Sequence, residues 1–144
     1  MARTASSFGR QKPKFKAQQR VLILCEDSKS CLNYLVDAAR HFRSNAEVKI
    51  AHCGRTDPKG IVTEAGSQRK AFDNVYCAID RDSHDSFEEA MQLASQLGVT
   101  VIASYPCYEF WLLLHFRMTR APHVAVGALS AGERLVRVLR EEPG

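Results

Sequence analysis

One stretch constrains this chain more than any other: Asn74-Val75-Tyr76-Cys77-Ala78-Ile79-Asp80-Arg81-Asp82, apolar almost throughout until it stops at two carboxylates one residue apart. A run of this length, rich in β-branched and aromatic side chains, reads as a strand buried on both faces. Asp80 and Asp82 then sit where the strand leaves the sheet, which in open α/β sheets is where ligands bind. Alternate residues share a face, so the two carboxylates can point the same way. An isolated acidic loop with no role beyond solubility has the same local signature.

The rest of the chain decides between those readings. Val21-Leu22-Ile23-Leu24-Cys25 is a second apolar run, and it too ends in acids, Glu26 and Asp27. Residues 47–51 and 100–104 read as further strands. Between them lie segments with helical spacing. The first has Leu32, Leu35, Val36, Ala39 and Phe42 behind a Ser28-Lys29-Ser30 start whose hydroxyls suit an N-cap. Residues 53–60 read as a loop, with Gly54, Asp57-Pro58 and Gly60 as turn chemistry. A helix follows over 61–72, weakened by Gly66. The Ser86 to Glu89 capping-box pattern opens another that ends at Gly98, with Phe87, Ala90, Met91, Ala94 and Leu97 on one face. Pro106 introduces a short apolar helix over 107–116. Residues 117–129 are irregular, and Ser130 to Glu133 repeats the capping-box signal before a last helix.

Strands alternating with helices specify the fold class: α/β, a Rossmann-like parallel sheet of about four strands, with helices on both faces and right-handed crossovers. The carboxyl ends of all strands of a parallel sheet lie along one edge. Glu26, Asp80, Asp82 and, just past the fourth strand, Glu109 therefore converge. Two carboxylates ~5 Å apart repel by about 3 kcal/mol at an effective dielectric of ~20. A fold that gathers several must neutralise them with a cation or share protons among them. Mg²⁺ or Mn²⁺ suits such oxygen donors, usually with one or two direct carboxylates and several retained waters. The metal set expected here is Asp80, Asp82 and Glu26, with Glu109 in the catalytic set as an auxiliary ligand or orienter. The helix start beside them favours an anion, making Ser28, Lys29 and Ser30 candidate phosphate contacts, along with Arg81 and His84. His115, in an apolar helix, reads as a satisfied structural histidine. Trp111, Leu112, Leu113, Leu114 and Phe116 read as core.

Composition bounds the partners. The 144 residues suit one domain, and such a chain buries roughly 70% of its unfolded surface. No apolar run approaches the ~20 residues of a membrane span, and no signal-peptide core opens the chain. Five cysteines without a CxxC pair read as reduced thiols in a cytoplasmic protein, not a disulfide frame or zinc site. Residues 1–20 carry six basic side chains and no acid, whereas the remainder has a net charge of −2. Residues 1–19 thus read as a basic, disordered arm, and a basic arm on a mildly acidic body is a common nucleic-acid arrangement.

Three blocks carry a resemblance: RVLILCEDSKSCLNYL (20–35), VYCAIDRDSHDSFEEAM (75–91) and ASYPCYEFWLLLHF (103–116). In this order and spacing they resemble the RloB family of bacterial proteins, across roughly residues 20–116. RloB-like proteins are similar to the Toprim fold of topoisomerases, primases and overcoming-lysogenisation-defect nucleases. The resemblance implies a single Toprim-like domain over 20–144, with Glu26 as the catalytic glutamate and Asp80 and Asp82 as the metal-binding pair. It also implies an anti-phage or restriction setting with a partner ATPase encoded nearby. Family members often carry Gly where this chain has Asp27, and Thr-Glu where it has Ser30 and Cys31. Many continue past residue 144, so a C-terminally short variant or fragment is expected. The activity expected is Mg²⁺-dependent hydrolysis of phosphodiester bonds in DNA or RNA. A non-catalytic subunit that binds nucleic acid or an ATPase is the alternative. A phosphoacceptor receiver is disfavoured, because receivers place Lys before the late proline and this chain has Tyr105-Pro106.

Overall fold

The computed structural model describes residues 17–43, 45–81 and 85–143; the first sixteen residues, Asp82 and His84 lie outside the described residues. The four apolar runs form four strands: β1 Gln19–Cys25, β2 Ala46–His52, β3 Asn74–Asp80 and β4 Thr100–Ser104. All neighbouring strands pair parallel, in the order β2-β1-β3-β4. The helices are α1 Ser30–Phe42, α2 Pro58–Gln68, α3 Phe87–Leu97, α4 Tyr108–Leu113 and α5 Ala131–Glu141, with a 3-10 turn at Arg69–Ala71 after α2. This is the expected Rossmann-like α/β architecture. No helix among the described residues is long and apolar enough to cross a membrane.

The strand order reverses at β1. The chain leaves β1 for β2 on one side, then returns past β1 to β3 on the other. Right-handed crossovers in opposite directions place their helices on opposite faces. One face is closed by α2 and α3. Leu22 and Leu24 of β1 and Val75, Cys77 and Ile79 of β3 pack there against Ile61, Val62, Ala65, Phe87, Ala90 and Ala94. Burial on β3 alternates strictly, with Tyr76, Ala78 and Asp80 only half-buried on the other face. So β3 is not sealed on both faces, as its apolar run suggests. α1 lies against β2, and among the described residues the β3–β4 half of that second face stays open, with Ile102 49% exposed.

Local chemistry explains the element ends, with three departures from expectation. Asp57-Pro58 is a helix start rather than turn chemistry: the Asp57 carboxylate accepts from the Gly60 amide at 2.7 Å, and Pro58 occupies the first turn. The Ser28–Ser30 hydroxyls do not cap α1. Asp27 does so instead, accepting from the amides of Lys29 at 2.6 Å and Cys31 at 3.0 Å. The Ser86–Glu89 capping box does not form: Ser86 is out of the extended region, at φ −83° and ψ 2°, and makes no side-chain cap. Glu89 pairs with Lys59 of α2 at 2.8 Å. At α5 the box is complete, with Ser130 Oγ accepting from the Glu133 amide at 3.2 Å and Glu133 accepting from the Ser130 amide at 2.8 Å.

α4 and α5 build a second small core from Cys107, Leu113 and Leu135, flanked by Phe110, Val138 and Leu139. Trp111 and Phe116 are not core: they are 47% and 52% exposed. Within α4 only Tyr108 and Leu113 are buried, and Phe116 lies beyond the helix end.

Candidate functional site

The reversal at β1 opens a crevice between the carboxyl ends of β1 and β3, the usual ligand position in open α/β sheets. Glu26 is the first residue past β1, and its amide donates to the Ala78 carbonyl at 3.1 Å, continuing the ladder toward β3. Its carboxylate Oε2 accepts from the backbone amide of Asp80 at 2.7 Å. Residues 54 positions apart in the chain are thus joined by a charge-assisted bond to the main chain. Past β3, the Arg81 amide donates to the Ser104 carbonyl at 2.8 Å, carrying the same edge across to β4.

Glu26, Ser28, Lys29, Ser30, Asp80 and Glu109 all line one cavity of about 890 Å³ between α1, α4 and the open half of the sheet. Asp80 and Glu109 also line a neighbouring cavity of about 720 Å³, with Arg81 and His123. The expected site residues that the structure describes are therefore brought to one end of the molecule. Among the described residues no group of three or more His, Cys, Asp and Glu side chains is placed to hold a metal ion. Asp82, the third acid of the expected set, and His84 fall outside the described residues.

The surroundings revise several single-residue expectations. Two amides at the start of α1 are occupied by Asp27, so any phosphate there meets the exposed Ser28, Lys29 and Ser30 side chains rather than a bare helix end. Arg81 lies over the rings of Phe87 and Tyr105, at 5.4 and 5.9 Å from their centroids, and reaches Glu88 at 3.4 Å. It is held as a bracket between β3 and α3. His115 has both ring nitrogens engaged. Nδ1 lies 3.0 Å from the Trp111 carbonyl, which can only accept, so Nδ1 carries the proton. In the neutral ring Nε2 then accepts from the Tyr34 hydroxyl at 3.1 Å. The structural reading of His115 fits this geometry, although its side chain is exposed.

Sequence patterns gave no sign of the aromatic and thiol lining. Tyr34 meets Tyr108 edge-to-face, at a centroid distance of 6.0 Å. Burial pushes the Tyr108 phenol up, reinforced by Cys31, Tyr34, Asp27 and Glu109. Burial and then a hydrogen bond with Glu109 push the Cys107 thiol up to about 12. A hydrogen bond from Cys31 lowers Cys25, against the opposing effect of its burial. All five cysteines are free thiols, as expected. His52, at the end of β2, donates from Nδ1 to the Cys25 carbonyl at 3.1 Å and steadies the strand end that carries Glu26. The Tyr34–Tyr108 and His52–Cys25 contacts join residues distant in sequence, which no local pattern announces.

A family profile described as RloB-like protein matches residues 21–140. The chain belongs to the RloB-like family. The match extends past the three resembling blocks and covers α4 and all but the last residue of α5. No curated protein and no solved structure matches it.

Proposed function

We propose that this RloB-like chain is a Mg²⁺-dependent, Toprim-type nuclease. It hydrolyses phosphodiester bonds in DNA or RNA as the effector of a bacterial anti-phage system, with a partner ATPase. One observation carries the reading: the Glu26 carboxylate is bonded to the Asp80 main chain at the strand-order reversal, at 2.7 Å. Carboxylate oxygens from Glu26 and Asp80 suit a hard cation that takes few direct protein ligands and keeps its waters. A bound Mg²⁺ would supply charge neutralisation at the phosphate and a more acidic water. Asp80, with Asp82 two residues on, would hold it, and Glu26 would serve as general acid or base or as a further ligand. Fixing Glu26 through a backbone amide holds its carboxylate in one orientation before substrate arrives, which lowers the reorganisation cost of proton transfer. Glu109 would orient the attacking water or complete the metal set, and Lys29 with Ser28 and Ser30 would steady the phosphate.

The test is cleavage of single-stranded DNA, duplex DNA and tRNA with Mg²⁺, with and without a candidate ATPase. Glu26→Gln and Asp80→Asn should each lower the rate at least about a hundredfold, in the range general acid–base catalysis contributes, with unchanged far-ultraviolet circular dichroism. Full activity in both variants would remove the reading. A stable complex with nucleic acid and no cleavage under any condition would favour the non-catalytic subunit.

A further inference from the structure

The cavity beside Glu26 and Asp80 is larger and more aromatic than a phosphate needs. At about 890 Å³ it is in the range of small-molecule sites. Its strand wall is the uncovered half of the sheet, with Ala78 and Ile102 paired across β3 and β4. The opposite walls carry the rings of Tyr34, Tyr108, Phe110 and Trp111, with Tyr105 completing the lining. Trp111 and Tyr105 are 47% and 70% exposed, so much of both rings stands open beside the acids, although Arg81 lies over Tyr105 and His115 meets Trp111. The wall is stiff on the α1 side, where Tyr34 is bonded to His115 and packed on Tyr108. A second, independent observation concerns hydrogen bonding. The Tyr108 hydroxyl is buried, on a side chain 7% exposed, and has no hydrogen-bond partner among the described residues. An unmet buried hydroxyl is costly, and a ligand edge with a donor or acceptor would relieve it.

A polynucleotide running past the acids has one flat, largely apolar group per residue with polar atoms on its edge, namely the base. Aromatic platforms stack any base, because every base has a π face. In a duplex those faces are stacked and the edges paired, and extruding a base costs unstacking and unpairing energy, so an already unpaired nucleotide turns its base into a concave pocket most readily. We infer that this cavity takes an unstacked nucleobase, and that the substrate is therefore single-stranded or looped nucleic acid. The inference rests on the nuclease reading for its placement of the backbone at Glu26 and Asp80, and it names the substrate class of that site. Trp111 is the main stacking face, and Tyr105 the second.

The test uses the full chain with Ca²⁺ in place of Mg²⁺ to hold back cleavage. A single-stranded oligonucleotide carrying 2-aminopurine is titrated alone and annealed to its complement. The single strand should bind with several-fold quenching of the fluorophore, and the duplex should bind at least about tenfold more weakly. Trp111→Ala should weaken single-strand binding about tenfold, the scale of one lost stacking platform, while its thermal midpoint stays unchanged. Tyr105→Ala gives a second readout on an exposed ring. Equal affinity for duplex and single strand, or no quenching together with no effect of either ring substitution, would overturn the inference. Parallel reactions with Mg²⁺ separate it from the nuclease reading. Quenching without cleavage, with the candidate ATPase present as well as absent, keeps the base pocket and removes the nuclease, whereas duplex cleavage without single-strand preference keeps the nuclease and removes the pocket.

Discussion

Glu26 is set in place by the main chain. Its carboxylate bonds to the Asp80 amide at 2.7 Å, so changing the Asp80 side chain should leave Glu26 where it is. Other residue-scale properties follow chiefly from burial. Cys77 is fully buried, and burial, followed by the nearby Cys53 and Cys25, raises its thiol from 9.0 to about 12. The folded state therefore holds this proton where the unfolded chain would release it. The resulting stabilisation is complete below pH 9.0 and is lost as pH rises toward about 12. Thermal melts should show a falling midpoint from pH 8.5 upward, and Cys77→Ala should make that fall shallower. At pH 8 a thiol reagent should reach Cys77 only after denaturation. The acids at strand ends were legible because a strand in a parallel sheet fixes where its last residue goes. Tyr108 and Cys31 were not, since nothing in their own neighbourhoods marks them as lining a cavity.

The same four-residue motif, Ser-x-x-Glu, opens two helices with different outcomes. At α5 both reciprocal bonds form. At α3 the serine backbone is not extended and the glutamate is paired with Lys59. Ser130→Ala should therefore cost about 1 kcal/mol of stability, a normal cap loss. Ser86→Ala should stay within about 0.5 kcal/mol, as for a surface change away from such features. Urea melts of the two variants make the comparison. Helix starts were thus readable only where no tertiary partner competes. The motif at Ser86 could not disclose that α2 would bring Lys59 alongside, and the hydroxyls at 28–30 could not disclose that Asp27 would reach the α1 amides first. Strand positions were easier to read, because an apolar run bounded by turn residues has few other homes.

At the scale of the molecule, stability rests on the close approach of α2 and α3 to each other over one face of the sheet. Gly66, which weakens α2 by propensity, is what permits it. A Cβ at Gly66 would lie 2.4 Å from Leu97 Cδ1, 3.2 Å from its Cγ and 3.3 Å from its Cβ. Gly66→Ala should destabilise by about 1–2 kcal/mol, overpacking outweighing the helix-propensity gain of about 1 kcal/mol. The double substitution Gly66→Ala/Leu97→Ala should be non-additive, because the two positions touch. The alternating pattern predicted the class of fold, but not that coverage would be unequal. An apolar strand reads the same whether its second face is roofed by a helix or left beside a cavity.

That inequality separates what holds the protein together from what it touches. Leu22, Ile61, Val62 and Cys77 sit on one side, fully buried. Ile102, Tyr105 and Trp111 sit at the cavity beyond the other, where replacing a side chain disturbs little of the closed core. Side chains at the cavity can therefore change while the foundation beneath them stays the same.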